Sequence, residues 1–310
     1  MARLPAFLAG AAALVALPWV LPDYQLSLAV QVLVFALLGM SVDLLAGYAG
    51  RTSLGHGAIF GTATYVSLYC SATLHLSPWI GLLLGVAAAV LVALVFAALA
   101  VRTGGVYFLL LTLALGMVVW GVCLRWSSVT GGENGLRGGA RPALIASGPA
   151  LYWLVLAATV ATAAGAWRLV RSPFGLALRG IRDSGLRMQS LGYGTTALLI
   201  AGFAGSGLIA GIGGGLYGMF NEFASPSTVA LSTSVAGLLI AIIGGVGTLF
   251  GSFVGAGVLV ILQNVVSEYT DRWQSVMGLM FIGLMIFAPT GLIGQLRRLR
   301  PRAAARKPLS

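Results

Sequence analysis

The sequence predicts an all-α, polytopic integral membrane protein with about ten membrane-crossing helices, and three observations lead there. Hydrophobic residues make up 59% of the 310, charged residues only 8%, and mean hydropathy is +0.99. A soluble globular domain carries roughly 25% charged residues. Apolar stretches recur at close to the ~20 residues that an α-helix needs to cross a bilayer. The basic residues fall on alternate connections, the bias that orients membrane proteins. That bias, rather than affinity for nucleic acid, accounts for the net charge of +11.

In order, the spans fall near residues 6–21, 25–47, 53–74, 79–101, 105–123, 150–169, 196–220, 231–244, 249–267 and 273–291. The first has Arg3 ahead of an apolar core, as a signal peptide does. No clear small-x-small cleavage site precedes Pro22, so it reads as a retained helix. Residues 231–267 are interrupted by Gly244, Gly245, Gly247 and Gly251. They form either two short helices joined by a tight turn or one broken, partly re-entrant element.

Charge orients this scheme. With the N-terminus inside, the cytoplasmic side collects Arg3, Arg51, Arg102, five loop arginines (Arg168, Arg171, Arg179, Arg182, Arg187) and six basic residues of the 297–307 tail, 14 of 18. Arg125, Arg137, Arg141 and Arg272 stay outside. Trp19, Trp79, Trp120, Trp126, Trp153 and Trp273 gather near outer helix ends, as an interfacial belt does. Ten crossings satisfy both patterns and place both termini in the cytoplasm. Residues 1–295 are then the transmembrane domain, with a long cytoplasmic loop within 170–195. Residues 296–310 are a basic cytoplasmic tail suited to anionic lipid headgroups.

Several chemistries are excluded. The one lysine, Lys307, precedes a proline in the tail, so no GxxxxGK[ST] phosphate loop exists and the chain is not expected to hydrolyse ATP. His56 and His75 are far apart and no nucleophile–base arrangement accompanies them, so an enzyme is not indicated. Cys70 and Cys123 make no metal spacing. Two free buried thiols are the simpler expectation and a disulfide the alternative.

Two glycine-rich stretches resemble each other, 44–61 (LLAGYAGRTSLGHGAIFG) and 238–255 (LLIAIIGGVGTLFGSFVG). Each is a helix end, a glycine cluster on the cytoplasmic side and a return helix. They are either a parallel repeat of the kind transporters use or a chance match of glycine-rich sequence. Gly47, Gly50, Gly55, Gly57 and Gly61 allow backbones to approach, and Thr52 and Ser53 offer hydroxyls to freed backbone groups. Plain helix packing is one reading. The other is a wall or gate of a path across the membrane, shared with Gly244, Gly245, Gly247 and Thr248. His56 is expected to be a hydrogen-bonded structural residue. Asp43 is expected to pair with Arg51 or Arg102, or else to act as a polar substrate contact or helix-coupling switch.

In the long loop, Ser172 and Pro173 start a helix well, Ser172 by capping free amides and Pro173 by suiting the first turn. Ala177, Leu178, Ile181 and Leu186, with Met188, make an apolar face flanked by Arg179, Arg182 and Arg187. Such a helix either enters a groove of a partner protein or lies on anionic headgroups. Gly185 is placed to break it. On the outer side, Thr130 to Gly135 form a polar, glycine-rich loop near the mouth of any path, and Glu222, Glu268 and Asp271 read as solvated helix ends.

The string DLLAGYAGRTSLGHGAIFGTATY (43–65) closely resembles the signature of permease subunits of branched-chain amino-acid ABC importers, the LivM-like family. So do VYFLLLTLALG (106–116), SVTGGENGL (128–136), SPFGLALRGIRDSGLRMQSLGY (172–193) and IGGVGTLFGSFVGAG (243–257), in order across roughly residues 24–294. The resemblance implies a non-enzymatic translocation subunit in a bacterial inner membrane. It also implies two cytoplasmic ATPase subunits holding ATP and magnesium, a second homologous permease and an extracytoplasmic substrate-binding protein. It assigns ATPase docking to Ser172, Pro173, Phe174, Gly175, Ala177, Leu178, Arg179, Ile181, Arg182 and Leu186. Asp43 stands where the family pattern looks like asparagine, and Asp183-Ser184-Gly185 where relatives often show an acid pair. Urea or short amides are the alternative substrates, and an autonomous ion-coupled transporter the alternative class.

Overall fold

The computed structural model describes residues 17–19, 21–138, 147–270 and scattered positions from 272 to 294. The predicted spans 6–21 and 273–291 fall mostly outside these residues, and the tail 296–310 lies wholly outside. Among the described residues, six helices are long and apolar enough to cross a membrane. They are α1 (Asp23–Asp43, continued by a π-helical turn Leu44–Ala49), α3 (Pro78–Ala100), α4 (Val106–Arg125), α6 (Gly148–Arg171), α8 (Thr195–Asn221) and α11 (Gly251–Tyr269). Between them lie α2 (His56–Ala72), a helical turn α5 (Ser127–Thr130), α7 (Pro173–Ser190), a second helical turn α9 (Pro226–Val229) and α10 (Leu231–Gly244). The protein is an all-α, polytopic membrane protein.

Local sequence explains the element ends. Ser77 and Ser147 each accept an amide from the first turn of the helix that follows, with proline just inside the start. α2, α3 and α8 pack through small residues, as membrane helices do where backbones approach. An added Cβ at Gly207 or Gly211 would run into Ala93 or Ala89, and one at Gly214 into the Phe60 carbonyl. The long faces of α3 and α4 carry exposed Leu83, Leu91, Leu99, Leu110 and Val118, a surface suited to lipid or to another membrane subunit.

The connections sort into two ends. At one end the residues after α1, the turn after α10, the α3–α4 turn and α7 gather around Arg51 and Arg182. At the other end β1 (Leu136–Arg137) pairs antiparallel with β2 (Phe223–Ala224), Leu136 opposite Ala224. There Trp19 also meets Trp153, edge to face at 5.7 Å. The arginine-rich loop and the tryptophan cluster are thus on opposite ends, as the charge pattern predicts. The 231–267 question resolves into two helices and a tight turn, 245–250.

Candidate functional site

The two glycine-rich turns that resemble each other in sequence touch. α1 and α10 both run toward the arginine end, and α2 and α11 both lead away. A Cβ on Gly47 would lie 2.5 Å from the Gly247 nitrogen and 2.6 Å from its Cα, so only glycine admits this approach. Asp43, the last residue of α1, is buried at the junction. Its Oδ1 accepts the Gly247 N–H at 2.5 Å and its Oδ2 the Leu249 N–H at 2.8 Å. This corrects the expected pairing of Asp43 with Arg51 or Arg102. Arg51 instead donates to the Thr103 carbonyl at 2.5 Å and lies over the Phe108 ring. Among the described residues, the ion pair present is Arg182–Asp183, at 3.2 Å.

Other expected residues divide between the junction and the packing around it. Thr248 Oγ1 donates to the Gly245 carbonyl at 2.6 Å, closing the second turn, and Gly244 packs directly on Gly251. Ser53 is buried and accepts the Gly55 N–H at 3.2 Å, while Gly55 sits against the Phe96 ring. Thr52, half-buried, lies in the irregular segment between the π-turn and α2. His56 is fully buried, with Nε2 2.7 Å from Ser206 Oγ. Ser206 has one hydroxyl proton and donates it to the Ser41 carbonyl at 2.7 Å. The His56 bond therefore runs from Nε2–H to Ser206 Oγ. That chain ties α2 to α8 and α1.

α7 departs from expectation. Ser172 stands at the N-cap with Pro173 at the first helical position, but its hydroxyl donates to the Leu169 carbonyl at 2.7 Å and caps no amide. The predicted apolar face is turned inward: Leu178 is 0% and Ile181 6% exposed, Ala177 is buried with them, and Phe174 packs on the same core. Burying such side chains contributes ~1.5–3 kcal/mol each, so this face belongs to the bundle and is not free to enter a partner. Gly175 packs on the Val170 backbone, allowing the sharp α6–α7 corner. Arg179 is also turned back, donating to the Val170 carbonyl at 2.8 Å and facing the Tyr48 ring. Arg182 Nη1 donates to the Gly47 carbonyl at 2.7 Å. The outward surface is instead Leu176, Asp183, Leu186 (79% exposed) and Arg187. The break expected at Gly185 falls one residue earlier, at Ser184, whose hydroxyl accepts the Arg187 N–H.

A further feature is absent from the expected set. After β2 the chain runs down beside α2 instead of staying at the membrane edge. Gly138, whose N–H donates to the Glu222 carbonyl at 2.7 Å, lies against Leu68, Val229 lies against Gly61, and Ser234 against Gly57, whose N–H it accepts at 2.8 Å. The start of α10 is thus level with the first two turns of α2. α10 has 14 residues, about 21 Å at 1.5 Å per residue, short of a ~30 Å hydrocarbon core. Six of the ten residues from Ser225 to Ser234 carry hydroxyls, and Ser227 and Ser232 are exposed. Interrupted backbone at such depth persists only where protein buries it or water reaches it. The density of hydroxyls around Pro226 in an otherwise apolar chain is the sequence signal for this segment.

Elsewhere, Cys70 and Cys123 are both free and buried. The loop after α4 is folded: Thr130 Oγ1 donates to the Cys123 carbonyl at 2.6 Å and accepts the Gly132 N–H at 3.3 Å. A cavity of about 160 Å³ lined by Asp23, Leu26, Ser27, Val30, Gly148, Leu151 and Phe220 opens at this end, remote from the glycine turns. Among the described residues, no group of three His, Cys, Asp or Glu could hold a metal ion.

Comparison with known proteins agrees with this architecture. Residues 24–289 match the family described as branched-chain amino acid transport system / permease component. The chain is 25% identical to the high-affinity branched-chain amino acid transport system permease protein LivM of Salmonella typhimurium, and 23% identical to that of Escherichia coli. Each alignment covers 91% of this chain and 73% of the relative. It is also 29% identical to the autoinducer 2 import system permease protein LsrC of Klebsiella pneumoniae, over 57% of this chain and 52% of that one. No solved structure matches. With the family matched over residues 24–289, this chain is a member of the branched-chain amino acid transport permease family.

Proposed function

We propose that the chain is the membrane-spanning permease subunit of an ATP-driven importer for branched-chain or related hydrophobic amino acids. The observation that carries this reading is α7. It is seated on the bundle by Ala177, Leu178 and Ile181 while Leu176, Asp183, Leu186 and Arg187 face outward. A helix so anchored moves the membrane helices when its outer face is pushed. The substrate class comes from the LivM relatives.

In this assembly two ATPase subunits dock on α7 and hold ATP with its magnesium. A second homologous permease completes the path, and an extracytoplasmic binding protein delivers substrate. The setting is a bacterial inner membrane, with the arginine end and both termini in the cytoplasm. The hydroxyls of Ser225–Ser234 stand in for water around a passing zwitterion. The paired glycine turns form the cytoplasmic gate.

The test is uptake of radiolabelled leucine by proteoliposomes holding the whole assembly, with and without ATP. Leu186→Glu/Arg187→Glu should abolish uptake and release the ATPase subunits. ATP-driven uptake of urea or a short amide in place of leucine would change the substrate and keep the mechanism. Uptake by this chain alone, driven by a proton or sodium gradient, would refute it.

A further inference from the structure

Arg182 flanks the docking surface, its side chain 43% exposed, and one arm of its guanidinium turns back onto the bundle. The side chain crosses Gly50, where an added Cβ would sit 2.6 Å from Arg182 Cγ and where φ is +68°. Nη1 then donates to the Gly47 carbonyl at 2.7 Å, one of the carbonyls that a helix end leaves without an internal partner. Nε and Nη2 both lie 3.2 Å from Asp183 Oδ1, which fixes the plane of the fork. Gly47 belongs to the π-helical turn Leu44–Ala49, a rare geometry found mostly as single turns and frequently at functional sites. Its backbone rests on Gly247. From the other side of the same contact Asp43 takes the amides of Gly247 and Leu249. That second turn contains positive φ values at Gly245, Gly247 and Leu249. A non-glycine residue there needs outside support to hold its conformation.

Two sets of directional bonds meet here, α7 through Arg182 to the Gly47 peptide and Asp43 to the α10–α11 turn, joined by the backbone of the π-turn and by the packing of Gly47 on Gly247. We propose that Arg182 and Asp43 are positioning residues that make displacement of α7 and opening of both glycine turns a single motion, which rests on the reading of α7 as the ATPase-driven helix. Arg182 acts on the gate, and the partner touches its neighbours on the outer face. The π-turn is the element that yields, since it can pass a residue of register along α1 without breaking the helix.

The alternative is that Arg182 only caps the π-turn, and two measurements on the full assembly separate the readings. The first is ATP consumed per leucine imported in proteoliposomes. Arg182→Ala should raise it several-fold, with ATPase subunits still co-purifying. Arg182→Lys, which keeps a donor for Gly47 but not the fork to Asp183, should fall between. An unchanged ratio, or loss of the ATPase subunits on affinity purification, would overturn the proposal.

The second measurement needs no turnover. Nitroxides at Ser190 on α7 and Val246 on the second turn, with Cys70 and Cys123 replaced by alanine, report their separation by pulsed electron resonance. The parent should give one narrow distribution, and Arg182→Ala and Asp43→Ala broad ones. Equal widths in Arg182→Ala and the parent would overturn the linkage. Should Asp43→Ala fail to assemble, Arg182→Ala decides alone. A parent without ATP-dependent uptake would instead reject the importer reading, and the distance widths would still judge the linkage.

Discussion

Replacing Gly47 by alanine adds one methyl group at the meeting of the two glycine turns, and its cost follows from the geometry. The new Cβ would lie 2.5 Å from the Gly247 nitrogen, 2.6 Å from its Cα and 2.6 Å from Asp43 Oδ1. Two of these atoms are backbone, so no flexible side chain can swing away, and the turns must separate. Overpacking of this kind costs about 1–3 kcal/mol. Separation also stretches the Asp43–Gly247 hydrogen bond, and a hydrogen bond to a charged group contributes ~1.5–3 kcal/mol. The control is Gly165→Ala in α6, where nothing lies within 4 Å of the added carbon. There alanine should stabilise by up to about 1 kcal/mol through helix propensity. At roughly 2–4 °C per kcal/mol, the Gly47→Ala protein should melt several degrees below the parent and Gly165→Ala at or above it. Thermal-shift midpoints in one detergent read the difference. Equal midpoints for the two variants would refute the argument that contact with Gly247 requires glycine at 47.

Three further outcomes are expected. Ser232→Cys, at the exposed start of α10, should react with a membrane-impermeant thiosulfonate, in a background with Cys70 and Cys123 replaced, although it lies level with the first turns of α2; an inert thiol would place this segment against lipid instead of water. Cys70 and Cys123 themselves should resist maleimide in the native protein and both react after denaturation, with no change in mobility on reduction. His56→Phe keeps a ring against Phe203 but removes the donor to Ser206 Oγ, and should destabilise by about 1–3 kcal/mol. The pH dependence of uptake should stay as in the parent, and a changed profile would give His56 a part in proton movement.

What was legible in the sequence follows from which forces act locally. Span lengths, the arginine end and the tryptophan end reflect partition between water and lipid, which each segment decides for itself. The matching glycine turns were also legible, because glycine is needed where backbones meet. Asp43 was misread because charge complementarity suggested Arg51, while the real donors are amides more than 200 residues away whose orientation depends on the Gly247 turn. The amphipathic pattern of α7 was sound, but a stripe of Ala177, Leu178 and Ile181 does not say which protein it meets. Here the bundle claims it. The descent of Ser225–Ser234 beside α2 was missed because a hydroxyl-rich run after a predicted helix end reads equally as an outer loop. Only the contacts of Gly57 and Gly61 establish its depth.

The choice of backbone over side chain as the partner of Asp43 has a mechanical consequence. An exposed ion pair with Arg51 would be worth about 0–1 kcal/mol and would tolerate wide changes of angle. It would weaken gradually as helices moved. Two amides held by a turn with fixed positive φ values accept one carboxylate geometry and lose both bonds together when the turn rotates. Gly47 and Gly247, in direct contact, leave no room for intermediate packing. On the gate role proposed above, such a contact favours two well-defined arrangements over a continuum, as a transporter that never opens both ways at once requires. An asparagine at position 43 offers one acceptor oxygen where the carboxylate offers two. Asp43→Asn should therefore keep one of the two amide bonds and yield a looser turn, with an Arg182-dependent distance distribution intermediate between the parent and Asp43→Ala. A distribution as narrow as the parent's would show that one amide bond is enough.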